Sequence, residues 1–155
     1  MKLTMKRRDF CCGAVLSLGA VIAPARVAGA GSRTRATLYK SPQCDCCDGY
    51  AAYLRKHGFT VEVVTTHELA RISRNAGVPE AMQGCHTTFI EGYVVDGHVP
   101  IGAIRKLLTE RPAVAGITLP GMPDGSPGMS GRKQGPFRIY AVHKNGAAPT
   151  LYAVE

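Results

Sequence analysis

The stretch SPQCDCCDGY, Ser41 to Tyr50, places three cysteines within four residues. No fold can carry Cys44, Cys46 and Cys47 far from one another, so three sulfurs must share one small volume. An apolar run, ATLYK (Ala36–Lys40), precedes the motif and reads as a short strand, broken at Ser41-Pro42. From Cys47 onward, CDGYAAYLRKHG reads as a helix with Ala51 and Leu54 inward and Gly58 as its stop. The cysteines therefore fall where a strand hands over to a helix. Unpaired N–H groups and the positive end of the dipole stabilise thiolates there.

Cys44 and Cys47 alone make C-x-x-C, a redox pair and the candidates for thiol–disulfide chemistry. Cys46 complicates that reading, because a third thiol beside the pair competes for any disulfide. Neighbouring cysteines such as Cys46 and Cys47 rarely close on each other, since the geometry is strained. A metal site uses all three. Soft thiolates select Cu(I), Zn(II) or iron–sulfur clusters. A single zinc usually takes chelating pairs two to four residues apart, and C-x-C-C is more crowded than that. Crowded thiolates more naturally bridge several ions, which points to a cysteine-bridged copper cluster. A disulfide staple, for example Cys44–Cys85 with two thiols spare, stays open beside it.

The start of the chain bears on the redox compartment. MKLTMKRRDF is basic, CCGAVLSLGAVIA is apolar, and PARVAGAGS carries Ala28-x-Ala30. These are the three parts of an export signal, expected to be cleaved near Ala30. Its apolar run of 13 residues is too short for a bilayer core of ~30 Å, so no stable membrane insertion is expected. Arg7-Arg8-Asp9-Phe10, with Arg26 close to the cleavage site, favours the twin-arginine route over Sec. Removing residues 1–30 takes five Lys/Arg and one Asp, so the formal charge falls from +8 to +4. No Lys/Arg cluster remains to bind nucleic acid. The mature cysteines are Cys44, Cys46, Cys47 and Cys85, in a periplasm where disulfides persist.

After a polar linker at 31–35, the order is strand, helix, strand (FTVEVVTT) and helix (HELARISRNAG), the latter opened by a Thr65-x-x-Glu68 capping box. Leu69, Ile72 and Ala76 share one face of that helix. An irregular stretch follows, then a hairpin of TTFIE and YVVD, then a helix PIGAIRKLLTE with Ile101, Ile104 and Leu108 buried. This βαβαββα order, with cysteines between the first strand and first helix, is that of a thioredoxin-like α/β domain, assigned to 36–131. In that fold the turn before the third strand faces the cysteine motif and normally carries a cis-proline. Here it reads Cys85-His86-Thr87-Thr88, so a thiolate and an imidazole stand where a proline would. That departure weakens the disulfide-exchange reading and makes His86 a ligand or ligand-supporting residue.

Within ITLPGMPDGSPGMSG, Pro120-Gly121-Met122 recurs as Pro127-Gly128-Met129, a shaped loop whose thioethers suit Cu(I). Met122 and Met129 are expected to tune copper as a lid. His57 sits at a helix end, where a charge suits the dipole, and His67 at a helix start, while His143 carries little signal; His98 adjoins the third helix and could line the site, but reads first as a solvated turn residue. Finally FRIYAVHKNGAAPTLYAV reads as a hairpin appended at 132–155.

Three blocks, YKSPQCDCCDGYAAYLRKHGF, VPEAMQGCHTTFIEGYVVDGHVP and GITLPGMPDGSPGM, together resemble the CopG-like periplasmic copper-resistance proteins (domain of unknown function 411). The resemblance spans roughly residues 36–131. It implies a thioredoxin-like fold that binds copper, in some members as a cysteine-bridged cluster, with a role in copper redox during detoxification. It implies Cys44, Cys46, Cys47 and Cys85 as metal thiols, with His86, Met122 and Met129 at further motif positions. The implied partners are copper ions and other periplasmic copper-handling proteins. Two rivals remain: a thiol–disulfide oxidoreductase using Cys44 and Cys47, and a zinc- or disulfide-stapled interaction module.

Overall fold

The computed structural model describes residues 33–155. The expected export signal and the first part of the expected linker lie outside the described residues. Among the described residues seven strands form one mixed sheet, in the order β2-β1-β3-β4-β5-β6-β7, and three α-helices accompany it. The strands are β1 (Arg35–Lys40), β2 (Thr60–Thr65), β3 (His86–Ile90), β4 (Tyr93–Asp96), β5 (Gly116–Thr118), β6 (Arg138–Val142) and β7 (Thr150–Val154). The helices are α1 (Asp45–Lys56), α2 (Leu69–Asn75) and α3 (Ile101–Glu110). The β1–β2 and β4–β5 pairs are parallel; the other neighbours run antiparallel.

Alternation along the central strands sends Ala36 and Leu38 of β1, and Ile90 of β3, into the main core with α1 and α3. Helix α1 contributes Cys47, Tyr50, Ala51 and Leu54, all wholly buried. Their i, i+3, i+4, i+7 spacing is the apolar stripe of an amphipathic helix, and a cysteine heads it. Helix α3 contributes Ala103, Ile104 and Leu107. Its expected partner Leu108 is only half-buried, because the stripe turns one residue earlier. The Tyr53 hydroxyl accepts from Ile101 N–H at 2.9 Å and satisfies one of the unpaired donors at the start of α3. A smaller cluster on the other side of the sheet joins Val78, Val94 and Val142.

Three expectations change. The Thr65/Glu68 capping box does not form. Instead Glu68 N–H donates to Thr66 Oγ1 at 3.0 Å, and α2 buries only Ser73. The loop expectation for residues 117–131 missed β5, which contains Ile117 and Thr118. And the C-terminal hairpin is no appendage: β5 links it edge to edge with β4, and Ile139 and Ala141 are buried in the main core. Among the described residues no helix is long and apolar enough to cross a membrane.

Candidate metal centre

The C-x-C-C motif sits where β1 ends. Lys40, buried at the last position of β1, pairs with Asp48 in the first turn of α1 at 2.5 Å. Cys44 N–H donates to the Ser41 carbonyl at 3.2 Å, closing the turn, and Cys44 occupies the N-cap of α1. The helix begins two residues earlier than expected, so Cys46 and Cys47 both lie in its first turn. Cys46 leans outward and is half-buried, while Cys47 points into the core.

Cys85 arrives from the turn before β3. Gly84 N–H donates to Asp96 Oδ1 at 2.5 Å, and Gly84 and Gly97 press backbone to backbone, since a Cβ on Gly84 would lie 2.5 Å from Gly97 Cα. Gly97 has φ +74°, and a Cβ there would meet the Leu119 carbonyl at 2.4 Å, so no other residue fits without rearrangement. The two glycines thereby bring Cys85 beside residues that follow β4.

The four sulfurs converge. Cys44 and Cys46 are 3.5 Å apart, Cys46 and Cys85 3.6 Å, and Cys47 and Cys85 3.6 Å. Tetrahedral thiolates about 2.3 Å from one metal stand about 3.8 Å apart. The spacing therefore fits sulfurs sharing metal ions. Cys44 and Cys47 are joined as a disulfide, while Cys46 and Cys85 are free thiols. The staple envisaged between Cys44 and Cys85 is not the one formed. Burial, and then contact with Cys46, pushes the Cys85 thiol up to about 12, so a bound metal would have to displace its proton.

His86 is wholly buried at the start of β3, with Nδ1 3.5 Å from Cys85 Sγ and its ring 4.4 Å from that of Tyr50. Its Nε2 has no hydrogen-bond partner among the described residues. Burial, reinforced by His98, lowers its imidazole to about 3 and keeps it neutral. His98 corrects the expectation of a solvated turn residue. It is wholly buried, and its Nε2 lies 3.1 Å from Cys85 Sγ. Burial lowers its pKa as well. The hairpin pairing could have located it: Thr87 faces Asp96 across β3 and β4, so Cys85-His86 and Gly97-His98 must leave that ladder side by side.

The two Pro-Gly-Met turns, alike in sequence, differ in place. Gly121 has open space around it and Met122 is 44% exposed. The second turn is pressed onto α1: a Cβ on Gly128 would lie 2.5 Å from Tyr50 N, and one on Gly49 would lie 2.8 Å from the Gly128 carbonyl. Met129, half-buried, belongs to this packed turn. His57 caps α1 against Tyr53, and His143 bonds Thr150 in the β6–β7 hairpin. His67 is exposed.

Residues 82–129 match the family model described as "Protein of unknown function, DUF411". Two solved structures, forms 2 and 1 of "Copper resistance protein copG", are each 32% identical to the chain. Each match covers 79% of this chain and 98% of the other, with TM-scores of 0.73 and 0.72. No curated protein sequence matches. With that identity over nearly the whole length of the solved structures, and four cysteines converging as a metal-capable cluster, the chain belongs to the CopG-like copper-resistance family.

Proposed function

We propose that this is an exported, periplasmic copper-binding protein of thioredoxin-like fold. It holds Cu(I) between Cys44, Cys46, Cys47 and Cys85, as a cysteine-bridged cluster. The observation that carries this reading is the convergence of four sulfurs from two separate parts of the chain, with three contacts of 3.5–3.6 Å beside the Cys44–Cys47 bond. The donors are soft and the pocket is partly closed to water, which favours Cu(I) over Cu(II). Placement of the motif between β1 and α1, on a β1–β2 and β3–β4 framework, supports the thioredoxin-like reading.

The Cys44–Cys47 disulfide gives copper redox a stoichiometry. Reducing it takes two electrons and two protons and yields two thiols. Two Cu(I) ions giving one electron each would supply the electrons and become Cu(II). Run backward, two Cu(II) ions become Cu(I), the disulfide re-forms and two protons leave. In the reduced chain the pocket offers four sulfur donors. Metal analysis of protein purified from the periplasm tests the binding reading: copper at more than one ion per chain is the expected result, and zinc or no metal would overturn it.

The same disulfide favours a second reading, thiol–disulfide exchange by Cys44 and Cys47 at the start of α1. Catalysed reduction of a test disulfide by metal-free protein would support it. Two further outcomes are expected. Replacing Arg7 and Arg8 with Lys should block export if the route is twin-arginine; normal export of the double variant would assign Sec instead. Met122→Ala with Met129→Ala should leave copper bound but shift its reduction potential or exchange rate, since thioethers bind more weakly than thiolates. Complete loss of copper would make them essential ligands, and no shift would make them apolar filler.

A further inference from the structure

We propose that this chain forms a two-fold symmetric dimer by pairing its edge strand β7 antiparallel with β7 of a second copy, Leu151 opposite Val154. Strand β7 ends the sheet and bonds to β6 alone. Its sequence, TLYAV, has no proline and no charge to blunt the edge. At the opposite edge of the sheet β2 carries the exposed Glu62. Among the described residues three large hydrophobic side chains are exposed, and two of them lie on β7: Leu151 at 51% and Val154 at 52%.

Both residues also aim their backbone groups outward. Phe137 and Glu155 exchange two N–H to C=O bonds, at 2.7 and 3.0 Å. In an antiparallel ladder the next pair exchanges none, so Val154, opposite Arg138, turns its N–H and C=O to the free edge. On the far side of β6 the Val142 carbonyl accepts from Ala115 N–H at 2.7 Å. Tyr140, two residues before Val142, therefore also turns toward β5, and Leu151 opposite it turns to the free edge. The ladder skips Tyr152, since Ile139 faces Ala153 and Tyr140 faces Leu151. This bulge matches the three-residue step from Leu151 to Val154 to the two-residue step from Tyr140 to Arg138, so Leu151 and Val154 share one face of the sheet. Tyr152, the extra residue, lies against α3, with Lys106 Nζ 4.7 Å from its ring centre and its hydroxyl 3.3 Å from Glu110 Oε2.

These features select the occupant. A bulge spoils an edge for a regular strand, because its outward groups fall out of step with a two-residue repeat. A second copy carries the same step. Turned about a two-fold axis at the bulge, it sets Leu151 against the partner's Val154 and Val154 against the partner's Leu151. Each pair exchanges two backbone bonds and stands two apolar side chains opposite each other, with Cβ atoms about 5 Å apart. The same register sets Thr150 against the partner's Glu155. The hairpin end of one β7, with Lys144 in the turn closed by Gly146 N–H and the His143 carbonyl, thus meets the carboxylate end of the other. Symmetry repeats both charge pairings, as an interface of one surface with itself requires. Strands β5 and β6 stand between β7 and the β3–β4 hairpin, so no residue of the metal centre takes part.

The test is sedimentation equilibrium of the full mature chain, metal-free and under reductant, so that neither a metal nor an intermolecular disulfide joins two copies. A monomer–dimer equilibrium with a Kd in the micromolar range is expected, since the strand is short and the interface small. Leu151→Lys should weaken the dimer by about tenfold or more, because each dimer then sets two charges against apolar side chains. Val154→Pro removes an outward N–H and no bond of the β6 ladder, and should weaken it on the same scale. Circular dichroism checks that both variants fold. Hydrogen exchange of the wild type needs no variant: the Val154 amide should exchange more slowly as chain concentration rises. A monomer at every concentration up to about 1 mM overturns the proposal. So does a dimer that either folded variant leaves unchanged, or a Val154 amide that exchanges equally fast at all concentrations.

Discussion

Cys85→Ser should lower the copper content of the reduced chain by more than one site's worth while leaving it folded. Cys85 is the sulfur with most neighbours in the cluster. It lies 3.6 Å from both Cys46 and Cys47, 3.5 Å from His86 Nδ1 and 3.1 Å from His98 Nε2. A bridging thiolate serves two metals, so its loss removes a ligand from each. Serine is nearly isosteric, but its hydroxyl stays protonated at neutral pH and is too hard for Cu(I). The fold should survive, because Cys85 is only half-buried and lies outside the strands and helices. The measurement is copper per folded monomer under anaerobic reducing conditions, alongside circular dichroism. A folded variant with the full wild-type copper load would remove Cys85 from the site and return disulfide exchange by Cys44 and Cys47 to first place.

Local signals made the thiols legible before the fold was known. C-x-C-C is contiguous, and Cys85 stands at a turn that the strand order brings opposite the motif. The hairpin of β3 and β4 was legible for the same reason, since alternation and turn residues act over a few positions. His98 was legible only as a residue that could line the site, although it lies two residues past β4. Its importance comes from a register between strands, and a histidine after a glycine turn ordinarily meets solvent. The Pro127 carbonyl, 2.7 Å from His98 Nδ1, was still further out of reach. It is a backbone atom 29 residues from His98, and nothing in its side chain marks it.

Packing errors had a similar origin. Leu107 rather than Leu108 is buried in α3 because the helix stripe drifts relative to a simple count. Strand β5 has three residues, too few for alternation to register, yet it fuses the C-terminal hairpin to the sheet. Gly116 in β5 faces the Val94 carbonyl closely enough to exclude any Cβ.

Asp96→Ala should cost about 2–5 kcal/mol, because it strips acceptors from two buried donors. Asp96 is wholly buried at the end of β4; Oδ1 accepts from Gly84 N–H at 2.5 Å, and Oδ2 accepts from the Thr87 hydroxyl at 2.7 Å. Thr87 in turn meets Ser73 Oγ at 2.6 Å, which ties α2 to β3. Asp96→Asn should behave differently. Its oxygen still accepts from Gly84, its amide donates to Thr87, Thr87 donates to Ser73, and Ser73 donates to the Leu69 carbonyl 3.1 Å away. Every donor of the wild-type network keeps an acceptor and only the second N–H of the new amide lacks one, so Asn should cost less than Ala, about 1–2 kcal/mol. The effect should reach the site, because Gly84 immediately precedes Cys85 and packs against Gly97, next to His98. Asp96→Ala should therefore release copper to a chelator about tenfold faster than wild type, and Asn should restore retention. Denaturant unfolding and chelator competition on the three proteins decide the matter. An Ala variant as stable and as retentive as wild type would reduce Asp96 to filler; one destabilised but fully retentive would separate the network that holds the sheet from the one that holds the metal.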